Sequence, residues 1–497
     1  MTLTYEYILE LFHQFKSRAE KSFDRKHYDG CLRFLKVAAH TAYTFYLGFT
    51  DAKIESLLQK LSAILQQKDC SVNPQRCVFF DTFSQDSQGL TMQYVDAIIA
   101  AGWEMLYITE FGLNDPRSVC LKKTLADYDK AKVVTIPSSK KGLSKAQAIY
   151  DTIIEYAPDK LFMHIHPNAV EAVTAFYALP KEITKYQINL TDHAYWVGAG
   201  CMDYIFEFRE YGASLSVGKR GFDKSQILLL PYYPMMKQTS FCGFPQESEG
   251  KVIIFSGASY YKIIDDNDTF FRLNKAILDA NPKAVTLFAG GGDRCLIDGL
   301  IVKHGLQGRF IPIGQRNDIF ECYKHADIYL NSFPLFGGLM AQMAAHAGLP
   351  ILSFARRDSG IVEEVVCQKK KERITFYDMN DLVDEATRLI NDIDYRKERG
   401  KAMTLCVINK TEFNHSFIRC TSLNTNQYRI NFENDVELHY LNVEDKLKLV
   451  NQTKDYHYSI FLSLGFVGLF ICPKVMLEGL RAKLSHSRIG SFFKTIA

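Results

Sequence analysis

Residues Pro334–Gly338 read Pro-Leu-Phe-Gly-Gly and lie between an apolar run and a helical pattern. A glycine pair at a strand-to-helix turn lets a ligand approach the backbone, and the helix that follows aims its unpaired N–H groups at that ligand. Phosphate is the natural guest. The other reading is a tight turn and nothing more, since a short glycine turn is a weak signal. The remaining reactive side chains are histidines. The run LFMHIHPN brings His164 and His166 to the carboxyl end of one expected strand, and INLTDHAYW brings Asp192-His193 to the end of another. A neutral imidazole is suited to take a proton near neutral pH. His193 ranks first as such a base, with Asp192 as its orienting partner, ahead of His164 and His166. For each of them the plain alternative is a satisfied core or surface side chain.

These residues need rigid elements behind them. Apolar runs at Arg309–Ile311, Asp327–Leu330 and Pro350–Phe354 suit buried parallel strands. Helical spacing of Asp318, Phe320 and Tyr323, and of Leu339, Met343, Ala344 and Ala347, separates them. Upstream, strands are expected at Cys77–Phe80, Glu104–Ile108, Lys132–Ile136, Leu161–Ile165 and Tyr186–Leu190. Helices are expected at Thr91–Ala101 and around Lys145–Tyr156 and Ala169–Tyr177. Alternating strands and helices predict an α/β chain with two Rossmann-like domains, at about residues 75–235 and 250–410. The proline-rich stretch PYYPMMKQTSFCGFPQESEGK reads as the linker between them. Ligands of such sheets bind at the carboxyl ends of the strands, so an active cleft is expected between the domains.

The order Gln315-Arg316-Asn317-Asp318, then Ala-Asp-Ile, the glycine turn and Ala-x-Ala-Gly-Leu-Pro resembles the donor-binding half of a GT-B glycosyltransferase. Within that class it most resembles the O-linked N-acetylglucosamine transferase branch, which includes bacterial protein N-glucosyltransferases. The segment FSGASYYKIIDD, Phe255–Asp266, is similar to a motif that opens the donor domain of that branch. The resemblance covers roughly residues 75–400 and implies two facing Rossmann-like domains. It implies that Lys262 grips the donor diphosphate and that Gly337, Gly338, Leu339 and Met340 offer it backbone N–H groups. Gly314 and Arg316 fall where the family holds the nucleotide base, with Arg316 flat over a uracil ring. Glu363 and Glu364 fall where many members place a ribose-binding acid. In the loop Phe80–Gln93, Asp86 stands about where the branch has a histidine, which makes it a further base candidate. Gly198, Gly200, Met202, Asp203, Tyr204 and Ile205 match a glycine-rich family run, in which Asp203 and Tyr204 read as structural. Departures are equally specific. The branch's histidine–threonine–threonine reads Gly338-Leu339-Met340 here, and the glutamate pair of many retaining members falls at about Leu335 and Met343, which favours inversion.

Bulk properties agree with a globular chain of two to three domains: 497 residues, 47% apolar and 23% charged. A formal charge of +3 does not by itself point to nucleic acid. Twelve cysteines without a CxxC pair fit a reduced, cytoplasmic chain rather than a disulfide framework or zinc site. The opening MTLTYEYILELFHQF is not read as a secretory signal. Residues 1–70 carry three apolar helical stripes, with a hairpin resembling a tetratricopeptide-like unit; they read as a helical cap or as an acceptor platform. Asp392-Ile393-Asp394 has metal-motif spacing but lies in a charged helical stretch, so no metal and no cofactor are expected beyond the nucleotide-sugar co-substrate.

Residues 411–497 form a C-terminal extension with a helical tail. In it, Ser459–Cys472 is apolar but short of the roughly 20 residues that span a bilayer. Beyond Pro473 come Lys474, Arg481, Lys483, Arg488 and Lys494, a stripe of Leu477, Leu480 and Leu484, and Phe492-Phe493. Residues 459–497 therefore read either as a peripheral membrane contact at the inner face of the cell membrane or as the closing helix that GT-B enzymes pack on their first domain. The expected activity is transfer of a sugar from a nucleotide donor, UDP-linked by resemblance, to a glycan, lipid-linked or protein acceptor. Surface polysaccharide or glycoconjugate synthesis is the leading role. Protein O- or N-glycosylation, an inactive GT-B scaffold subunit and a nucleotide-sugar epimerase are the alternatives.

Overall fold

Continuous apolar runs such as Val78–Phe80 and Leu161–Met163 are buried to within a few per cent of zero exposure. Strands of that kind have helices on both faces, as in parallel sheets. The computed structural model describes residues 3–86, 90–189, 191–236, 239–356, 362–426, 429–433 and 443–493. It divides into two units, Met1–Leu230 with Phe417–Ala497, and Pro231–Ser416.

The first unit holds strands β1 (Asn73–Asp81), β2 (Glu104–Thr109), β3 (Ala131–Thr135), β4 (Pro158–His164), β5 (Thr184–Ile188), β6 (Tyr204–Glu207) and β7 (Ile227–Leu229). They form one parallel sheet in the order β3-β2-β1-β4-β5-β6-β7, which reverses direction between β1 and β4. Residues 1–70 are helices Tyr5–Asp24, Tyr28–Phe45 and Ala52–Ser62. Their stripes, including Ile8, Phe12, Phe15, Leu32, Leu35, Ile54, Leu57 and Leu61, share one apolar core with the helices covering this sheet. Asp51 fixes the start of the third helix by accepting the N–H groups of Lys53 and Ile54.

The second unit holds β8 (Val252–Gly257), β9 (Ala284–Ala289), β10 (Phe310–Gly314), β11 (Ile328–Leu330), β12 (Ile351–Phe354) and β13 (Thr375–Phe376). Its parallel order is β10-β9-β8-β11-β12-β13, reversing between β8 and β11. The proline-rich segment read as a linker is packed onto this unit. Gln342 and Gln368 both donate to the Tyr232 carbonyl, and Phe241 stacks on His325 with centroids 3.9 Å apart. β6, β7, β8, β9 and β13 are additional to the strands expected from the sequence. Most are short, and β6 is hidden beside a glycine-rich run that reads as loop.

From Phe417, within helix Lys410–Leu423, the chain belongs to the first unit, and Phe417 sits against Trp103, Phe162 and Phe206. In the tail, helices Asp455–Leu464 and Pro473–Phe493 bury Tyr456, Ile460, Leu464, Val475 and Met476 in that unit's core. The far end of the expected fifth strand, Leu190, lies outside the described residues, as do the side chains of Leu484, Arg488, Phe492 and Phe493 and all of Lys494. No described helix is long and apolar enough to cross a membrane.

Candidate active site

In the second unit the loops leaving β8 and β11 are neighbours across the reversal of strand order, the usual ligand position in an open parallel sheet. The turn after β8 carries Lys262, and the loop after β11 carries Pro334–Gly338. They are joined directly: Leu335 N–H donates to the Lys262 carbonyl at 3.3 Å. Lys262 is half-buried, and burial pushes its pKa down. Its ammonium has no hydrogen-bond or ion-pair partner among the described residues.

Asn331, fully buried at the end of β11, shapes the glycine turn. Its Oδ1 accepts Ser332 N–H and Gly337 N–H, each at 3.0 Å. Gly337 N–H is therefore already used, and the expectation that it faces a phosphate is corrected. Gly338, Leu339 and Met340 open helix Gly338–His346, where the first N–H groups lack intrahelical acceptors. Two further loops reach the same sheet edge. Gly290 N–H donates to Gly314 O, and Tyr260 N–H donates to Gly291 O. Gly290 must be glycine, since a Cβ there would run into the Ala258 carbonyl. Gly314 has φ of +73°, a left-handed conformation that turns the chain sharply off β10.

Arg316 does not lie with its guanidinium free for a uracil. It makes a two-pronged pair with Asp318 at 2.7 and 2.6 Å and donates to Gly243 O at 2.9 Å. Asp318 also accepts Cys242 N–H, so the pair pins the 241–244 segment to the loop after β10. Glu363 accepts Thr375 N–H at the start of β13. Glu364 is half-buried in the same short helix, Val362–Val366, whose Val365 packs close to Gly338. Asp392 is the N-cap of helix Ile393–Thr404, which accounts for the Asp-x-Asp spacing. Among the described residues no group of side chains has a metal-ligand arrangement.

In the first unit the loops after β1 and β4 meet at the other reversal, and here the polar groups close on each other. Asp81 accepts His164 Nδ1–H at 3.1 Å, Tyr107 O–H at 2.6 Å, Thr91 O–H at 2.7 Å and Phe83 N–H at 2.7 Å. His164 is fully buried, with Nε2 unpartnered among the described residues. It is a structural pin rather than a base that meets solvent-borne substrate. The exposed ring of His166 lies on Phe83 with centroids 4.1 Å apart. Asp86 accepts the N–H groups of Cys120 and Leu121 at 2.9 and 2.7 Å, so it caps helix Val119–Asp127 and is corrected from a base to a cap.

Asp192 and His193 are hydrogen-bonded to each other. His193 Nδ1–H donates to Asp192 Oδ1 at 3.0 Å, which leaves Nε2 as the basic nitrogen, and the imidazole is 33% exposed. Asp192 is fully buried and is clamped by Arg209 at 2.5 and 3.1 Å. Burial alone would raise its carboxyl, but the charge of Arg209 and the hydrogen bonds from His193 and Arg209 outweigh it and hold the acid well below the usual range. The sequence reading missed the supports. Arg220 donates to the carbonyls of Asp192 at 2.6 Å and Ala194 at 2.8 Å, fixing the loop that carries His193. Glu207 lies beneath, accepting from Asn189 and Ser216. Charged residues inside the apolar stretch Tyr204–Phe208 and just after it were the available signal.

Glu207 gives this cluster a pH signature. Burial pushes its carboxyl from 4.5 up to about 7. A raised acid keeps its proton in the folded chain after the unfolded chain has lost it. Its stabilising contribution is complete below pH 4.5 and is lost as pH rises through about 7. Glu207→Gln removes that slope, so the variant's Tm should gain a few degrees on wild type between about pH 5 and about pH 8. Parallel Tm curves would show that Glu207 does not titrate in this window.

No family model matches the chain, and no curated protein matches it by sequence. By structure it is similar to HepE from Anabaena, solved with UDP-glucose, at a TM-score of 0.52 and 13% identity, covering 70% of this chain and 100% of that one. The O-GlcNAc transferase of Thermobaculum terrenum aligns at a TM-score of 0.50 and 13% identity, covering 82% and 83%. TarM of S. aureus, solved with UDP, aligns at 0.50 and 10%, covering 69% and 99%. At such identities the likeness is one of architecture, two parallel-sheet α/β units. The chain has the GT-B fold.

Proposed function

We propose that this chain is a glycosyltransferase that moves a sugar from a UDP-sugar to a glycan or lipid-linked acceptor in surface polysaccharide or glycoconjugate synthesis. It does so with inversion, without a metal ion or other cofactor, at the inner face of the cell membrane. The observation that carries this reading is Lys262, a half-buried ammonium without an acid partner among the described residues, tied through its own carbonyl to the glycine turn at the sheet's reversal point. UDP as the nucleotide is supported by the ligands of HepE and TarM.

In this mechanism the acceptor O–H gives its proton to His193 Nε2 as its oxygen bonds to the anomeric carbon. The bond from that carbon to the diphosphate oxygen breaks, and its electron pair leaves with UDP. Asp192 holds the imidazole tautomer and balances the imidazolium, and Arg209 and Arg220 hold Asp192 in place. Lys262 and the N–H groups of Gly338, Leu339 and Met340 receive the charge on the leaving diphosphate. The intact lysine and the Asp192–His193 pair favour an enzyme over a scaffold subunit.

Lys262→Ala should weaken UDP binding by at least about tenfold, about 1.4 kcal/mol. The unliganded variant should be no less stable than wild type, because it loses a desolvated charge with no partner. Titration calorimetry showing unchanged UDP affinity would remove Lys262 from the site. For His193→Ala, kcat should fall by about 10²–10⁴-fold with UDP affinity nearly intact. A normal kcat would reassign the base. Activity should survive EDTA, and the product's anomeric configuration by NMR should be opposite to the donor's. Loss of activity in EDTA, or a retained configuration, would overturn the corresponding half of the mechanism.

A further inference from the structure

The tail uses only one of its apolar faces for packing. Tyr456, Ile460, Leu464, Cys472, Val475 and Met476 are in the first unit's core. The opposite face of the same elements is in solvent. Phe466 is 87% exposed and Phe470 88%, on the 3₁₀ turn Gly465–Phe470. Leu462, Val467, Leu469, Leu477 and Leu480 are exposed with them. Gly468 packs close to Met476, so this turn is held by the core on one side and has no choice but to present its phenyl rings on the other. Scattered exposed apolar residues are ordinary, but a contiguous run in one segment marks an interaction surface.

The charge pattern selects the partner. Between residues 459 and 483 the basic side chains are Lys474, Arg481 and Lys483, all exposed, and the one acid is Glu478, which is paired with Arg481 at 2.6 Å. Aromatic rings that project from a turn, followed by a helix with exposed cations, fit the headgroup layer of an anionic bilayer. The rings enter the acyl boundary while the cations stay at the phosphates. A second protein chain would need a complementary acidic rim and pockets for both rings.

We infer that Phe466 and Phe470 form a membrane-inserting wedge, and that Lys474, Arg481 and Lys483 seat it on anionic lipid. This gives the tail a double role, with one face inside the fold and the other on the bilayer. It does not depend on the identity of the donor or the base.

The test is sedimentation of the full-length chain with vesicles of mixed phosphatidylglycerol and phosphatidylcholine, and with vesicles of phosphatidylcholine alone. Wild type should bind the anionic vesicles, less so as salt screens the cations. The double variant Phe466→Ser/Phe470→Ser should bind them at least about tenfold more weakly. Its Tm should be unchanged, because both rings are in solvent in the folded chain. Three outcomes overturn the inference: wild type that ignores anionic vesicles at low salt, a double variant that binds as well as wild type, or lipid-free wild type that is dimeric by light scattering while the double variant is monomeric. The last would make the patch a contact between two copies. UDP affinity measured on the same samples separates this result from the catalytic reading.

Discussion

Where the strand order of a parallel sheet reverses, the loops on either side leave in opposite directions and no helix covers the gap between them. The backbone and side-chain polar groups at that edge must then find partners among themselves, in water or in a ligand. The two sheets of this protein meet the constraint in opposite ways. In the first, Asp81 draws in Tyr107, Thr91, His164 and the Phe83 N–H and seals the edge between β1 and β4. In the second, Asn331 accepts from Ser332 N–H, Gly337 N–H and the Tyr329 hydroxyl and donates to Ser353, and the helix that follows opens with N–H groups that lack intrahelical acceptors, on the turn joined to Lys262. One edge is closed by its own hydrogen bonds, and the other presents a helix start and the Lys262 ammonium.

With the first edge sealed, the imidazole proposed as the base lies to one side of it, in the loop after β5. That loop is held by charges buried at considerable cost. Arg209, Asp192, Glu207 and Arg220 are all nearly or fully buried, and such groups are tolerated only when hydrogen-bonded and mutually compensated. Arg220 sits between the rings of Phe49 and Trp196 at 5.0 and 5.2 Å while it donates to the loop carbonyls. Phe49 follows the second amino-terminal helix, and Glu55 of the third accepts Gly198 N–H at 2.8 Å. The helices of residues 1–70 thus position the segment that carries His193, which makes them part of the site's support as well as a cap.

This division explains what could be read in the sequence. The parallel-sheet architecture, the glycine turn before a helix and the hydrogen bond between Asp192 and His193 were legible, because each depends on local pattern or adjacent residues. The roles of His164, Asp86 and Arg316 were not. Their partners are Asp81, the start of a helix at Val119, and Asp318 with Gly243, brought together by strand pairing, by a distant cap and by a packed segment. A strand-end position shows that a side chain can reach the ligand edge; it does not show whether another element has already taken its hydrogen bonds. Arg316 and Asp318 are only two residues apart, and their pairing was a local clue left unused.

The charges at the second edge also bear on how the proposed reaction manages without a metal. A helix N-terminus contributes about half an elementary charge, and Lys262 contributes one when protonated, about +1.5 together. The leaving diphosphate carries a formal charge of roughly −2 to −3, so about half to three-quarters of it is met by groups already in place, with little reorganisation during the reaction. Burial lowers the pKa of Lys262 in the unliganded chain. A bound diphosphate reverses that effect, since an opposite charge nearby favours the ammonium form. In the proposed reaction, donor binding and protonation of Lys262 are therefore linked, each favouring the other.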